Sequence, residues 1–526
     1  MANVTSRKKC FKQISESSLR FFQRMTVRKT VEDLRKDAED SSFKRTLGPL
    51  DLTFLGIGAI IGAGIFVLTG QAAARHAGPA IILSFVFAGI ASALAGVCYA
   101  ELASMIPVSG SAYTYSYATM GELIAWIIGW DLILEYIVSC AAVAVSWAGY
   151  FTDFIDQSFG LVVPDQWKTS PLSFSDIHDK FEITGGYINI VSLAVVLVVT
   201  AILAWGIRES STVNTVIVLV KIVIVLLVIF GCAKFVNNDN YKPFIPKGET
   251  RGKYGWSGVF QGAVVVFFAY IGFDAVSTVA HECRQPQRDL PIGILSSLVI
   301  CTVLYISVAT VMVGVVPYRE LNSDHPVSTA VGRTGQKWLT IIVDVGALCG
   351  LFSVMLVQLL GQTRIFYSMS KDGLFPAWAS KVKDSTATPF ISTWVSGIAC
   401  GCLAAFVPLD ILATLTSVGT LFAFMLVSLG VIILRYTQRE APRKFKLPGP
   451  PWGIPGLSIL ACGFLLSSAT KQTIYRLFIW MGLGFVVYFF YGWRYSKLKN
   501  RELMKAPPDE VEIRSLQRPS MVPGTV

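Results

Sequence analysis

Histidine is scarce, at four in 526 residues, and no apolar run carries paired histidines and acids at ligand spacing. The ten cysteines lie mostly inside apolar runs, where a thiol behaves as a small buried hydrophobe. Cys400 and Cys402 form a C-x-C with no second pair, which argues against a zinc site. No serine–histidine arrangement suggests a membrane-embedded enzyme, and no repeated filter-like segment suggests a channel. The chain is expected to need no cofactor. Charge is low as well: 15% of residues are charged, where soluble globular chains hold about a quarter. The amino-terminal fifty residues are polar and basic, without the short apolar core of a cleavable signal peptide.

What fills the chain instead is long uncharged stretches. We count apolar runs at 51–70, 79–100, 122–152, 187–206, 212–234, 257–280, 291–315, 339–370, 391–407, 410–434, 454–469 and 474–493. A run of about 18 apolar residues is long enough to span a bilayer. The chain therefore reads as an all-α polytopic membrane protein with 12 transmembrane helices. The net charge of +11 lies between and outside these runs, so no basic domain points to nucleic acid. Most of the lysines and arginines fall on the side that holds both termini, which places the termini in the cytoplasm. The outer loop 235–256, with Lys242, Lys247, Arg251 and Lys253, runs against this bias. Residues 1–42 and 496–526 read as cytoplasmic tails, the first either with a membrane-surface helix around "SLRFFQRMTVRK" or as a disordered basic tail.

Two runs contain glycine where a helix should be unbroken. The first holds "GIGAIIGAG" (residues 56–64), and the sixth holds "FFAYIGFDAV" (residues 267–276) with Asp274 well inside it. Each interior glycine costs a helix roughly 1 kcal/mol relative to alanine. One reading is close packing, since Gly58 and Gly62 form a small-xxx-small pair. The other is an unwound turn. Exposed backbone groups are tolerated in a membrane only where they line a cavity or hold a ligand. Half-helix ends there attract a carboxylate at the N-terminal side and an ammonium at the C-terminal side. The sixth run is the first again after five, the position expected of two inverted five-helix repeats. A dinucleotide fingerprint fails on spacing, because the pattern is G-x-G-x-x-x-G with no preceding strand.

A few ionisable residues stand inside the runs. Lys221, in "VIVLVKIVIVLL", is the one lysine or arginine at the centre of a run. Its default reading is functional, with snorkelling to an interface as the alternative. Glu135 follows Asp131 by four residues, so the two share a helix face. It faces either a ligand pocket or a structural partner. Glu101 closes the second run in "CYAELASMIP" and reads as a structural or gating residue. "PQRDLP" (286–291) reads as a cytoplasmic loop whose Arg288 and Asp289 can pair with neighbouring loops.

"LGIGAIIGAGIFVLTG" (55–70), "CYAELASMIPVSGSAYTYSYATMGELIAWIIGWDLILEY" (98–136), "FFAYIGFDAVSTVAHECRQPQRDLPIG" (267–293) and "GQTRIFYSMSKDGLFP" (361–376) resemble the amino acid–polyamine–organocation superfamily. Within it they are similar to the cationic amino acid transporter branch and its bacterial members, and the resemblance covers residues 43–495. It implies the leucine-transporter fold: a 5+5 inverted repeat (51–234 and 257–434) with broken helices 1 and 6, followed by helices 11 and 12 (454–493). It also implies L-amino acid substrates and protons, rather than sodium, as coupling ion. The substrate site is then expected at Ile60, Ile61, Gly62, Ala63 and Gly64 of the first helix. Phe268, Tyr270, Ile271 and Asp274 of the sixth would join them, together with Glu135 and Gln358. Ala63 stands where some relatives carry a hydroxyl. Phe268 reads either as a gate or as a core aromatic. Lys221 matches a fifth-helix lysine that takes the place of sodium in proton-coupled carriers, bridging the unwound first helix and the eighth.

The expected function is proton-coupled import of L-amino acids by alternating access, with Glu135 pointing to cationic substrates and Gln358 leaving that choice open. The alternatives are an exchanger, such as arginine for ornithine or a polyamine, and a sensor that binds without transport. The expected location is the plasma or inner membrane; the sequence leaves the oligomeric state undetermined.

Overall fold

The computed structural model describes residues 28–29, 46–106, 108, 111–175, 180–205, 211–383, 388–439 and 443–497. The tail segment "SLRFFQRMTVRK", apart from Arg28 and Lys29, and the carboxyl-terminal tail beyond Lys497 lie outside them.

The first apolar run is not one helix. α1 (Pro49–Ile60) starts with proline in its first turn and Asp51 accepting from the Gly48 N–H at 2.9 Å, and it stops at Ile61, whose backbone is extended. The chain resumes as a π-helical turn (Gly64–Leu68), α2 (Thr69–Ala72) and a second π turn (Ala73–Ala77). The run therefore extends past the expected limit at residue 70. α3 (Ile81–Met105) returns across the slab, and α4 (Ser111–Thr119) leads to α5 (Glu122–Phe159). At 38 residues α5 is about 57 Å long, well beyond a hydrocarbon core of about 30 Å.

α6 (Ile190–Ala204) and α7 (Ser211–Ala233) follow, then α8 (Gly255–Phe267), which ends in a 3₁₀ turn at Phe268–Tyr270. Ile271 is extended, Gly272 has φ +115°, and the short α9 (Ala275–Thr278) starts the second half of this run. α10 (Pro286–Val315), α11 (Pro326–Gly332), α12 (Lys337–Lys371), α13 (Phe390–Phe406), α14 (Leu409–Thr437), α15 (Gly453–Ser468) and α16 (Lys471–Val487) complete the order. Residues 286–291, expected as a loop, form the first turns of α10. Pro286 supplies a compatible first position, and Asp289 accepts from the Gln285 N–H at 3.1 Å instead of pairing with another loop.

Among the described residues, eight helical stretches are long and apolar enough to cross a membrane; α1, α6, α13 and α15 are shorter apolar helices. One departure from an all-helical chain is an antiparallel hairpin, β1 (Leu172–Ser175) and β2 (Lys180–Ile183), in the segment between α5 and α6. Large apolar side chains on several helices face outward, among them Phe230, Leu460, Phe478 and Ile479. Such a surface is stable against lipid and not against water.

The packing falls into two groups. α10 packs along α1 and α3, and α3 along α8. α5 packs along α12, and α6 along α13. α7 touches both, lying on α1, α10 and α12. Near one membrane face a buried ion pair ties α3 to α14. Arg435 holds Glu101 through both guanidinium nitrogens, Nε at 2.9 Å and Nη2 more closely, and the Leu447 N–H donates to Glu101 Oε2 at 3.0 Å. Arg443 lies 3.7 Å from the same carboxylate. Bidentate geometry and a backbone donor satisfy the carboxylate away from water.

Removing one member of a buried pair costs about 3–5 kcal/mol because the other charge is stranded. Glu101→Gln is therefore expected to lower the unfolding temperature of detergent-purified protein substantially. The double variant Glu101→Gln/Arg435→Gln should be closer to wild type than Glu101→Gln alone. A double variant worse than both singles would mean that the pair itself, and not the stranded charge, carries the stability.

Candidate functional site

The two interrupted runs cross each other, and glycine sets the distance. A Cβ on Gly64 would lie 2.2 Å from the Ala269 Cβ. A Cβ on Gly272 would lie 2.9 Å from the Ala59 carbonyl oxygen, and its φ already favours glycine. Gly64 is thus a contact between the two breaks as well as part of one. Gly64→Val would push against Ala269, so loss of binding in that variant would report the crossing and not a substrate contact.

Breaking α1 frees carbonyls at its C-terminal end, and side chains take them up. Lys221 Nζ, fully buried on α7, donates to Gly58 O at 2.8 Å and Ile61 O at 3.2 Å. Tyr305 Oη on α10 lies 2.8 Å from Ile60 O and 2.9 Å from Ala269 O, so one hydroxyl joins both breaks. In the π turn, Thr69 Oγ1 donates to Gly64 O at 3.0 Å and Tyr150 Oη to Phe66 O at 2.8 Å. By contrast, the N–H groups of Gly62, Ala63 and Gly64 have no hydrogen-bond partner among the described residues. The break therefore presents free donors beside a lysine, a local excess of positive potential.

α12 runs past the break with one face. A Cβ on Gly350 would lie 3.3 Å from Lys221 Cε, and one turn on, Val354 lies 3.2 Å from where a Gly62 Cβ would be. Gln358 follows on the same face after another turn, buried, with Oε1 lacking a partner among the described residues. The structure thus brings Gln358 and Lys221 to the first break along one helix. Ile60, Ile61, Ala63, Phe268 and Ile271 are all buried around the crossing. Phe268 joins no aromatic pair among the described residues, while its neighbour Phe267 packs on Phe424.

Three expected residues lie differently. Tyr270 turns away: its hydroxyl donates to Phe85 O at 3.0 Å and its ring packs on Tyr305 and Phe85, so only its backbone borders the break. Asp274 stands just before α9 without a side-chain capping bond, accepts from Tyr136 Oη at 2.9 Å and Ser111 Oγ at 3.4 Å, and leaves Oδ1 unpartnered. Glu135 is buried near Asp274 and Asp131, with Thr420 of α14 close by but outside hydrogen-bond geometry. Asp131 sits against Gly419 of α14. Asp131 thus faces α14, Glu135 lies near Asp274 of the sixth run, and neither has a cation partner among the described residues. Glu101 is remote from the crossing, in the ion pair described above.

Sequence reasoning passed over Tyr305, Tyr150 and Thr69. Their common signal is a hydroxyl inside an apolar run, where the polar tip must find an acceptor. Of these, Tyr305 in "CTVLYISV" is the most telling.

Residues 47–491 match the family described as amino acid permease. The branched-chain amino acid permease BcaP of Bacillus subtilis is 46% identical over 473 residues, covering 90% of this chain and 98% of that protein. The methylthioribose transporter of Bacillus subtilis is 43% identical over 471 residues, covering 90% and 98%. The vacuolar cationic amino acid transporter 4 of Arabidopsis thaliana is 37% identical over 431 residues, covering 81% and 68%. These relatives are carriers by name, not enzymes. The chain is therefore an integral membrane protein of the amino acid permease family, within the amino acid–polyamine–organocation superfamily and related to its cationic amino acid transporter branch.

Proposed function

We propose that the chain imports L-amino acids together with protons across the cell membrane by alternating access, with both termini cytoplasmic. The observation that carries this reading is the set of free N–H groups at Gly62, Ala63 and Gly64, facing a second break whose Tyr270 and Ile271 carbonyls take no backbone donor among the described residues. A carboxylate suits the first set and an ammonium the second, so the crossing fits the backbone end of a zwitterionic amino acid. The twelve-helix leucine-transporter arrangement is supported by the packing of α3 on α10, α5 on α12 and α6 on α13. Each of these pairs joins one of our runs to the run five places later. The short helices α1, α6, α13 and α15 fill the remaining positions. The division at 51–234, 257–434 and 454–493 follows from it, with 1–42 and 496–526 as tails.

Relatives of nearly equal identity carry unlike cargo, so identity alone does not choose the substrate. The chemistry of the walls supports one choice. Ile60, Ile61, Ala63, Phe268, Ile271 and Val354 surround the crossing with apolar surface, which suits a neutral aliphatic side chain with Gln358 limiting its length. Glu135 lies near Thr420 and Asp274. One observation keeps the cationic reading in view: both Glu135 oxygens lack a partner. Thermal unfolding of the purified protein with each L-amino acid, and with methylthioribose, decides this. A ligand at 100 times its Kd stabilises by about 2.7 kcal/mol. Leucine, isoleucine and valine are expected to stabilise; a shift with arginine and lysine alone would assign a cationic carrier. Uptake into vesicles empty of amino acids then separates import from strict exchange, which would give almost none. Binding without counterflow would identify a sensor.

Lys221 is assigned to proton coupling. In its charged form it holds the end of α1 against α7 and α12, and loss of the proton weakens charge-assisted bonds that are about twice as strong as neutral ones. Lys221→Ala is expected to leave binding measurable and to flatten the dependence of uptake on the proton gradient. Full gradient-driven uptake in that variant would place coupling elsewhere. Tyr305→Phe removes a single oxygen that serves two carbonyls. A buried group left unsatisfied costs about 1–3 kcal/mol, so uptake is expected to fall at least about fivefold with the protein still inserted. Unchanged uptake would show that the Ile60 and Ala269 carbonyls find another donor.

A further inference from the structure

A groove of about 440 Å³ lies where α10 enters the membrane, at the face where α1 begins. It is lined by Gln285, Gln287, Arg288, Pro291, Ile292 and Leu295 of that helix start, and by Lys444 and Phe445 of the segment joining α14 to α15. Its two cations have no carboxylate partner among the described residues. The acids nearest in sequence to Arg288 are already engaged: Asp289 accepts from the Gln285 N–H at 3.1 Å, and Glu282 lies 3.5 Å from Arg364. Arg443, beside Lys444, is drawn to Glu101. Arg288 and Lys444 therefore present uncompensated positive charge at one end of the groove.

The other end is apolar and continues onto the outer face of the bundle. Ile292, Leu295, Val299 and Val303 follow at three- and four-residue steps down one face of α10, with Val299 63% and Val303 59% exposed. Two cations at the membrane boundary above an exposed aliphatic stripe match one ligand class in both parts. We propose that this groove binds an anionic glycerophospholipid, with its phosphate between Arg288 and Lys444 and one acyl chain along Ile292, Leu295, Val299 and Val303.

The position gives the lipid a consequence for transport. α10 packs on α1 and α3, whose ends meet the crossing and the Glu101 pair. The segment that carries Lys444 is fixed to α3, because Ser104 Oγ donates to Phe445 O at 3.1 Å and the Leu447 N–H to Glu101. A headgroup held by both Arg288 and Lys444 ties the start of α10 to this clamp, so lipid composition sets how readily α10 and α1 move together.

The test uses the full chain in neutral detergent, followed by thermal unfolding during titration with dioleoylphosphatidylglycerol, dioleoylphosphatidylcholine or glycerol 3-phosphate. The first should stabilise saturably and the other two should not. Arg288→Gln/Lys444→Gln should bind phosphatidylglycerol more weakly by about fivefold for each cation removed, and Arg288→Lys/Lys444→Arg should retain it. In liposomes, uptake by wild type should rise when phosphatidylglycerol is added to phosphatidylcholine, and uptake by the double glutamine variant should not. Should the double variant fail to fold, Lys444→Gln alone carries the same comparison. Equal stabilisation by phosphatidylcholine, an unchanged phosphatidylglycerol response in the variant, or an equal response to glycerol 3-phosphate would each overturn the proposal, the last by assigning the cations to a free phosphate ester.

Discussion

A helix that stops inside an apolar slab must find donors for the carbonyls it abandons. No water is available there, and each buried group left alone costs about 1–3 kcal/mol. α1 stops at Ile60, and the freed carbonyls of Gly58, Ile60 and Ile61 are met by Lys221 from α7 and Tyr305 from α10. Much of the surrounding architecture follows from this requirement. α7 has to pass α1 closely enough for an ammonium to reach it, and α10 has to lie against both breaks so that one hydroxyl serves Ile60 and Ala269. The compensation is one-sided. Carbonyls are capped by side chains, while the N–H groups of residues 62–64 are left without partners, and an anion is the natural complement of that remainder.

Packing and unwinding, which look like rival explanations for GIGAIIGAG, are both present and at different residues. Gly64 is needed because Ala269 passes within 2.2 Å of its absent Cβ. Gly58 and Gly62 contribute through the backbone, Gly58 by offering its carbonyl to Lys221 and Gly62 by carrying a free N–H beside Val354. Close approach is what makes the break useful. Only when the two interrupted segments nearly touch do the donors of one and the acceptors of the other face a ligand small enough to bridge them. The requirement is shared across the crossing, since Gly272 and Ala59 repeat the contact on the other side.

The breaks were legible because glycine in an apolar run violates a local rule, and a local violation is visible in a window of nine residues. Lys221 was legible for the same reason. Tyr305 was not, because tyrosine breaks no pattern in an apolar helix and its acceptors are 245 and 36 residues away. The partner of Glu101 was hidden likewise, since Arg435 closes α14 where a basic residue is unremarkable at a helix end. Residues 286–291 misled through their composition: two prolines and two charges suggest a loop, yet Pro286 suits a helix start and Asp289 caps it. The sixth run is broken where its glycine interrupts it, but the direction of the Tyr270 side chain, expected toward the site from the resemblance, is not legible in the sequence. Which way its ring turned depended on the acceptor offered by Phe85 on α3, a tertiary fact.

In the proposed cycle the helices that carry the two breaks move against the pair formed by α5 and α12. Besides its apolar packing, α1 is held by polar contacts at its end that can be graded, in contrast to the Glu101–Arg435 pair, which is satisfied from several sides. Lys221 is the graded one. Its ammonium donates to two carbonyls at the end of α1 and its stem passes Gly350, so charge and dipole contribute to its hold on α1. A neutral amine could keep a hydrogen bond to Gly58 O but would lose the attraction to the end of the α1 dipole. The same proton also raises the positive potential around the free N–H groups of residues 62–64, where the substrate carboxylate would sit. In the proposed cycle protonation would favour both the closed contact of α1 and occupation of the site, and deprotonation would relax both together. One titrating group placed on the carbonyl side of a helix break is sufficient to link the two.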